Sequence, residues 1–413
     1  MRIPIRLNAS GKKRSDSLEG RNPKLRIGIP RVLNQWSTPR FWTAFFEALG
    51  VSRRNVVYSS PTSDEQQKLY SEGRGGVDCC YPVKCLSGHY GELLTGLKKP
   101  VDVLFTPKVV SLRSFLGGDV VDCLACPRVM AGPESTRGGF VREGDAFSEK
   151  SVHYVSPVVN MAEPRLMARQ LTIALSPVFP GLTERETAAA IDVAWNEQDS
   201  FDTKNRTTAR EILERCEAED RPAILVLGRP YHMDPGIGHE IENELQAEGY
   251  PVIWGQHLPH DSDILDRLFG SDITSGDLLS AFDISDVWKS SYSANTNELV
   301  WAARFGARHP AIAAAIRFSS YECGMDQPTY TPVQKILESR GTLFFAFQDL
   351  DATKPTGSVR IRTETIAYYL QQRGQAIMQE KRQRLATQNQ EPERGPRLGV
   401  YRDRNPIELS ESA

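Results

Sequence analysis

Ala223-Ile-Leu-Val-Leu-Gly-Arg-Pro-Tyr-His232 is the stretch that decides how this chain is built. Its five leading apolar residues read as a strand covered on both faces, the kind a parallel sheet requires. Gly228 and Pro230 stop the strand, and the spacing of Ile237, Ile241 and Leu245 predicts a helix after the turn. A strand-and-helix series has already run once before this point, so the pattern restarts here. Two tandem open parallel-sheet α/β domains joined by a helical connector is the fold expected.

Working outward, Leu25 to Pro30 reads as the opening strand. A helix follows with Phe41, Ala44, Phe45, Ala48 and Leu49 on one face, closed by Gly50. Asn55–Ser60 and Val101–Thr106 read as strands, Thr62–Gly73 as a polar helix, and His153–Asn160 as a fourth strand leading to a helix through Leu175. One helix is expected from Cys80 through Leu97, with an apolar stripe at Leu86, Tyr90, Leu93, Leu94 and Leu97. The expected division is a disordered basic tail over 1–23, a first domain over 24–180, a charged helical connector over 181–220, a second domain over 221–380 and a flexible tail over 381–413. In the second domain, strands are expected at Tyr250–Trp254, Ala311–Phe318 and Leu343–Phe347, and the last helix frays beyond Lys381. The two halves share an architecture without a visible sequence repeat.

At 413 residues the chain exceeds one core, and a formal net charge of −2 gives no electrostatic footprint for nucleic acid. No apolar run reaches the roughly 20 residues a membrane span needs. Seven Lys or Arg residues against two acids crowd the first 24 positions, but without the apolar core of a secretory signal. A reducing, cytoplasmic setting is therefore expected, where clustered thiols bind metal or do redox chemistry more often than they form disulfides.

Three of the seven cysteines fall within Asp78-Cys-Cys-Tyr-Pro-Val-Lys-Cys85. Cys123 and Cys126 form a Cys-x-x-Cys ahead of Pro127, a segment that reads as a loop, which argues against thioredoxin-type chemistry. No second pair matches it, as a zinc site would ask. On spacing alone, structural thiols and a metal site stand as alternatives. Position favours the second, because Cys80, Cys126 and Cys323 each follow a strand or open a helix, the rim where open α/β sheets bind ligands. A helix start also favours thiolate over thiol. Cys216, inside a charged helical stretch, reads as a plain thiol. Arg229 and His232, in the turn after a buried strand, are candidate anion or substrate contacts, with Lys84 and His89 beside the first cysteine block. Each also has a plainer reading, as an internal salt bridge, a solvated side chain or a hydrogen-bonded core histidine. No Gly-rich phosphate loop with a following Lys and Ser or Thr occurs, so this chain has no expected ATPase site.

Several separated blocks together resemble the activase-related proteins of the 2-hydroxyacyl-CoA dehydratase group, relatives of benzoyl-CoA reductase subunits and double-cubane cluster proteins. They are Arg26 to Gly50, Cys80-Tyr-Pro-Val-Lys84 with Gly88-His89, Cys126-Pro127, Gly228 to Pro235, Cys323-Gly-Met-Asp326 and Arg360-Ile-Arg362. The resemblance implies an iron–sulfur cluster held between two α/β domains by Cys80, Cys126 and Cys323. It would be a 4Fe–4S cubane, or a double-cubane 8Fe–9S cluster if Cys79, Cys85 and Cys123 also serve. Three thiolates on a cubane leave one iron open for substrate or for a second cubane. It further implies low-potential electrons from an ATP-dependent activase on a separate chain, spent on a difficult reduction or radical dehydration. A homodimer, or a heterodimer with a related subunit, belongs to the same expectation. The alternatives are a non-enzymatic scaffold or regulator that kept the fold without the cluster, and a zinc-stabilised binding protein.

Overall fold

The computed structural model describes residues 24–388 except 72, 75–78, 143, 290 and 352–355. The expected basic tail over 1–23, Asp78 and the end of the expected C-terminal tail, 389–413, lie outside the described residues.

The described residues contain ten short strands: β1 (Ile27–Ile29), β2 (Val56–Tyr58), β3 (Val103–Phe105), β4 (Lys108–Ser111), β5 (His153–Val155), β6 (Val158–Asn160), β7 (Ala223–Leu227), β8 (Val252–Trp254), β9 (Ile312–Phe318) and β10 (Leu343–Phe347). They form two four-stranded parallel sheets, β2-β1-β3-β5 and β10-β9-β7-β8, and a two-stranded extension, β4-β6. Read from the β8 edge, the second sheet has the same winding as the first: second strand, first, third, fourth. The architecture is tandem open parallel-sheet α/β. In each sheet the order reverses beside the first strand, and the crevice at such a switch point is where open sheets bind ligands. For β1 that edge leads into Arg31 and Asn34, and for β7 into Arg229.

Both faces of each sheet are covered. Phe41, Trp42, Phe45, Phe46, Phe105 and Phe179 pack edge-to-face and stacked beneath the Pro39–Ala48 helix, all fully buried. Side chains of this size contribute roughly 1.5–3 kcal/mol each on burial. The 35-residue Glu184–Ala218 helix, opened by a Thr183–Glu186 capping box, joins the two halves. Ala190, Ile191 and Ala194 on it belong to the first core, and Ala209, Leu213 and Cys216 to the second. Cys216 is thus a core thiol.

Four expectations change. The fourth strand divides into β5 and β6 at Pro157, just as its partner divides into β3 and β4 at Pro107, because proline cannot donate to the ladder. The helix expected from Cys80 to Leu97 is broken into Tyr81–Lys84, Leu86–Gly91 and a wider turn over Glu92–Gly96. The helix expected through Ile237 and Leu245 is interrupted by His239 and Glu240, both left-handed with φ 58° and 54°. The last helix, Thr356–Gln388, continues past Lys381, whose buried ammonium donates to the carbonyls of Gly306, His309 and Ile312.

Candidate functional site at the domain interface

Cys80 and Cys126 occupy equivalent positions, each with an extended backbone and each the residue before a helix that has proline in its first turn. The Cys126 segment is therefore a helix, Pro127–Val141, and not the loop expected. That helix approaches the Cys80 segment through Gly132, where an added Cβ would stand 2.9 Å from Leu86 and 3.3 Å from Val83. Cys123 is led in from the sheet extension, accepting from the Leu112 amide, while the Ala125 amide donates to Val110. Both Cys80 and Cys126 are buried in the apolar cluster of Val83, Leu86, Val129 and Tyr231. Burial pushes the Cys80 thiol up; the Val83 amide opposes, and neighbouring Cys126 and Cys79 add to the rise.

Cys323 comes from the second domain, in the loop after β9. Arg128, two residues past Cys126, donates to the Glu322 carbonyl at 3.2 Å, and Lys84 pairs with the Glu322 carboxylate at 3.8 Å. The Cys323 loop is therefore latched to both thiol-bearing segments of the first domain. Tyr231 is buried and within electrostatic reach of both Cys323 and Cys80. Burial and then Asp326 push the Cys323 thiol up to about 12, against the Arg229 charge.

Arg229 is not open to a ligand. Its Nε and Nη2 donate to Asp326 at 3.1 and 2.9 Å, and both side chains are almost fully buried. The expected anion fork is occupied from within, because a guanidinium taken this far from water must be paired. Arg317 also converges on Asp326, at 3.7 Å, stacks over Tyr330 and leaves its Nε and Nη1 without a partner. Two buried guanidiniums thus face one carboxylate beside Cys323. Burial alone would raise the Asp326 carboxyl, but Arg229 and Arg317 outweigh it and hold it low.

The two histidines are likewise committed. His232 Nδ1 accepts from the Arg229 amide at 2.9 Å, and burial lowers its pKa to about 3. His89 is fully buried, also lowered to about 3, with Ser59 Oγ 2.7 Å from Nδ1 and Thr62 Oγ1 3.0 Å from Nε2. Thr62 then donates to Asp234 of the second domain at 2.8 Å, so this chain of bonds crosses the interface. Lys84 has its partner in Glu322. None of the four reads as a ligand contact in this arrangement.

Of the further thiols, Cys85 is fully buried and bonded to Tyr81, and Cys79 lies near Cys80 and Cys85. Cys123 stands apart, bonded to Ser114 and next to Glu298. Among the described residues, no three His, Cys, Asp or Glu side chains stand together as a metal-holding group. Neither the three-thiol set of Cys80, Cys126 and Cys323 nor the six-thiol set is therefore preformed there. Sequence reasoning assigned no role to Asp326, Arg317, Thr62 or Asp234; Asp326 and Asp234 stood inside the blocks Cys323-Gly-Met-Asp326 and Gly228 to Pro235, and the other two gave no signal.

The model of one family, described as the CoA enzyme activase uncharacterised domain (DUF2229), matches residues 26–258, more than half of the chain. This chain belongs to that family. The match spans the first sheet, the connecting helix, the Arg229–His232 turn and β8, and ends before Cys323. No curated protein matches the chain. No helix among the described residues is long and apolar enough to cross a membrane.

Proposed function

We propose that this CoA enzyme activase-type chain is a cytoplasmic iron–sulfur protein of the 2-hydroxyacyl-CoA dehydratase group. In this reading Cys80, Cys126 and Cys323 hold the cluster, and electrons arrive from an ATP-dependent activase on a separate chain. The observation that carries it is the latch: two buried helix-start thiols of one domain tied, through Arg128 and Lys84, to the loop that bears the third.

The donor chemistry fits such a group. Soft thiolates in apolar surroundings suit iron–sulfur clusters. The unmatched buried charge of Arg229 and Arg317 against Asp326 suits an anionic occupant beside Cys323. A cluster bound there would supply one-electron transfer at low potential. The chain's own contributions are separate from it. The guanidiniums raise the local positive potential, and Tyr231, Val83 and Leu86 pack an apolar wall around Cys80 and Cys126. All seven cysteines are free, which agrees with a reducing compartment.

A non-enzymatic scaffold is the second reading, and the absence of a preformed three-ligand group among the described residues favours it. Reduction separates the two. Anaerobically purified chain should be brown and should bleach when mixed with its activase and MgATP, with a paramagnetic signal that requires the nucleotide. Colourless protein unchanged by those additions would overturn the cluster reading.

A further inference from the structure

A second site lies between the domains, in a cleft of about 660 Å³ that none of the seven cysteines lines. Its walls are the turn after β1, the segments after β4 and β6, the connecting helix, the Pro230–Met233 turn, the segment after β8 and the start of the Ala294–Arg308 helix. They include the carboxyl ends of β1 and β7, the switch-point strands of both sheets. The volume falls within the roughly 300–1,000 Å³ usual for small-molecule sites.

Two independent features say what would fill it. First, Arg31 Nε, Asn34 Nδ2, Gln256 Oε1 and His260 Nε2 are buried polar atoms with no partner, and all four belong to residues lining this cleft. Trp195 Nε1 is a fifth, and unpaired polar atoms drawn from three walls leave hydrogen-bonding capacity for an occupant to complete. The strained turn at Leu33, φ 54°, holds Asn34 there. Second, the lining combines aromatic faces, Trp36, Phe115 and Trp195, with guanidiniums. Arg113 is taken by Asp199, and stacks on Trp195. Arg31, stacked over Trp36 at 4.5 Å, and Arg206 have no carboxylate within ion-pair distance among the described residues. Of the remaining acids in the lining, Asp202 accepts from Gln198 at 3.0 Å and Glu298 from Ser114 at 2.8 Å.

We propose that this cleft binds a flat aromatic carboxylate, its ring against Trp36 and Trp195 and its carboxylate on Arg31 and Arg206. The site does not depend on Cys80, Cys126 and Cys323 holding a cluster; of the thiols only Cys123 touches its wall, through Ser114 and Glu298.

The test uses the full chain with 1-naphthoate and its uncharged isostere, 1-naphthamide, read by quenching of tryptophan fluorescence and by calorimetry. Saturable binding of naphthoate is expected, with naphthamide roughly tenfold to a hundredfold weaker, the worth of hydrogen bonds to a charged group. Arg206→Gln, at a half-exposed helix position, should reduce naphthoate affinity to near that of the amide while leaving the circular dichroism spectrum unchanged. Arg31→Gln should act in the same direction. Absence of saturable naphthoate binding, equal affinity for acid and amide, or unchanged binding in both arginine variants would each overturn the proposal.

Discussion

Asp326→Asn is the substitution most able to expose a fault in this account of the interface. Asn keeps the shape of Asp326 and one acceptor oxygen, and removes only the charge. Arg229 and Arg317 would then be two guanidiniums, each no more than 1% exposed, with no carboxylate between them. At about 3 Å and an effective dielectric near 20, the lost attraction to Arg229 is roughly 5 kcal/mol before compensation. Breaking one side of a buried pair typically costs about 3–5 kcal/mol, which corresponds to a fall of roughly 10 °C in the second domain's Tm. Urea unfolding followed by circular dichroism and calorimetry would measure it. The pH dependence has a defined sign. Asp326 is held below the ordinary Asp range, so its contribution is fully present above about pH 4 and is lost as pH falls further. A loss under about 1 kcal/mol for Asp326→Asn, or a variant with the same acid sensitivity as the parent, would refute the reasoning.

Three further outcomes follow from single contacts. Burial pushes Glu298 up to about 7, against bonds from Ser114 and Asn295. Stability should therefore fall as pH rises from the ordinary Glu range to about 7 and level off above it, by at most about 3 kcal/mol and less where the cleft admits water; Glu298→Gln should flatten that slope in pH-dependent denaturation. At Gly236 an added Cβ would collide with the Thr62 carbonyl across the interface, so Gly236→Ala should cost about 1–3 kcal/mol and speed proteolysis at the domain junction. Lys381→Met strips the ammonium from three carbonyls; a thermal scan should show a loss of about 2–4 kcal/mol, and no change would mean the last helix is dispensable there.

The second sheet was legible because its strands are continuous apolar runs, as at Ala223–Leu227, bounded by Gly and Pro. Less legible was anything decided by contact across the interface. The Pro127–Val141 helix carries Gly132, Pro133, Gly138 and Gly139, residues that argue against a helix locally. It forms because Gly132 lets it close on Leu86 and Val83, a gain no window of sequence displays. His239 and Glu240 break an apolar spacing that looked unbroken, since Gly238 sits against the His232 carbonyl and the chain must turn there. In the candidate site, the thiols and Arg229 stood out by residue type and position. Their partners did not: Asp326 lies 97 positions from Arg229, and Asp234 172 from Thr62. Whether an arginine in a turn is free or occupied depends on such distant carboxylates. The cleft had no sequence signature, as its walls come from seven separate segments.

The central claim is that Cys80, Cys126 and Cys323 hold one cluster across the interface, and iron and acid-labile sulfide content measures it most directly. Chain purified without oxygen should carry iron and sulfide in near-equal amounts, about four of each for a single cubane and about twice that for a double one. Cys323→Ala should lose most of both while the first domain keeps its fold, and Cys216→Ala should lose neither. Wild-type chain free of iron and sulfide, or a Cys323→Ala variant that retains both in full, would contradict the account.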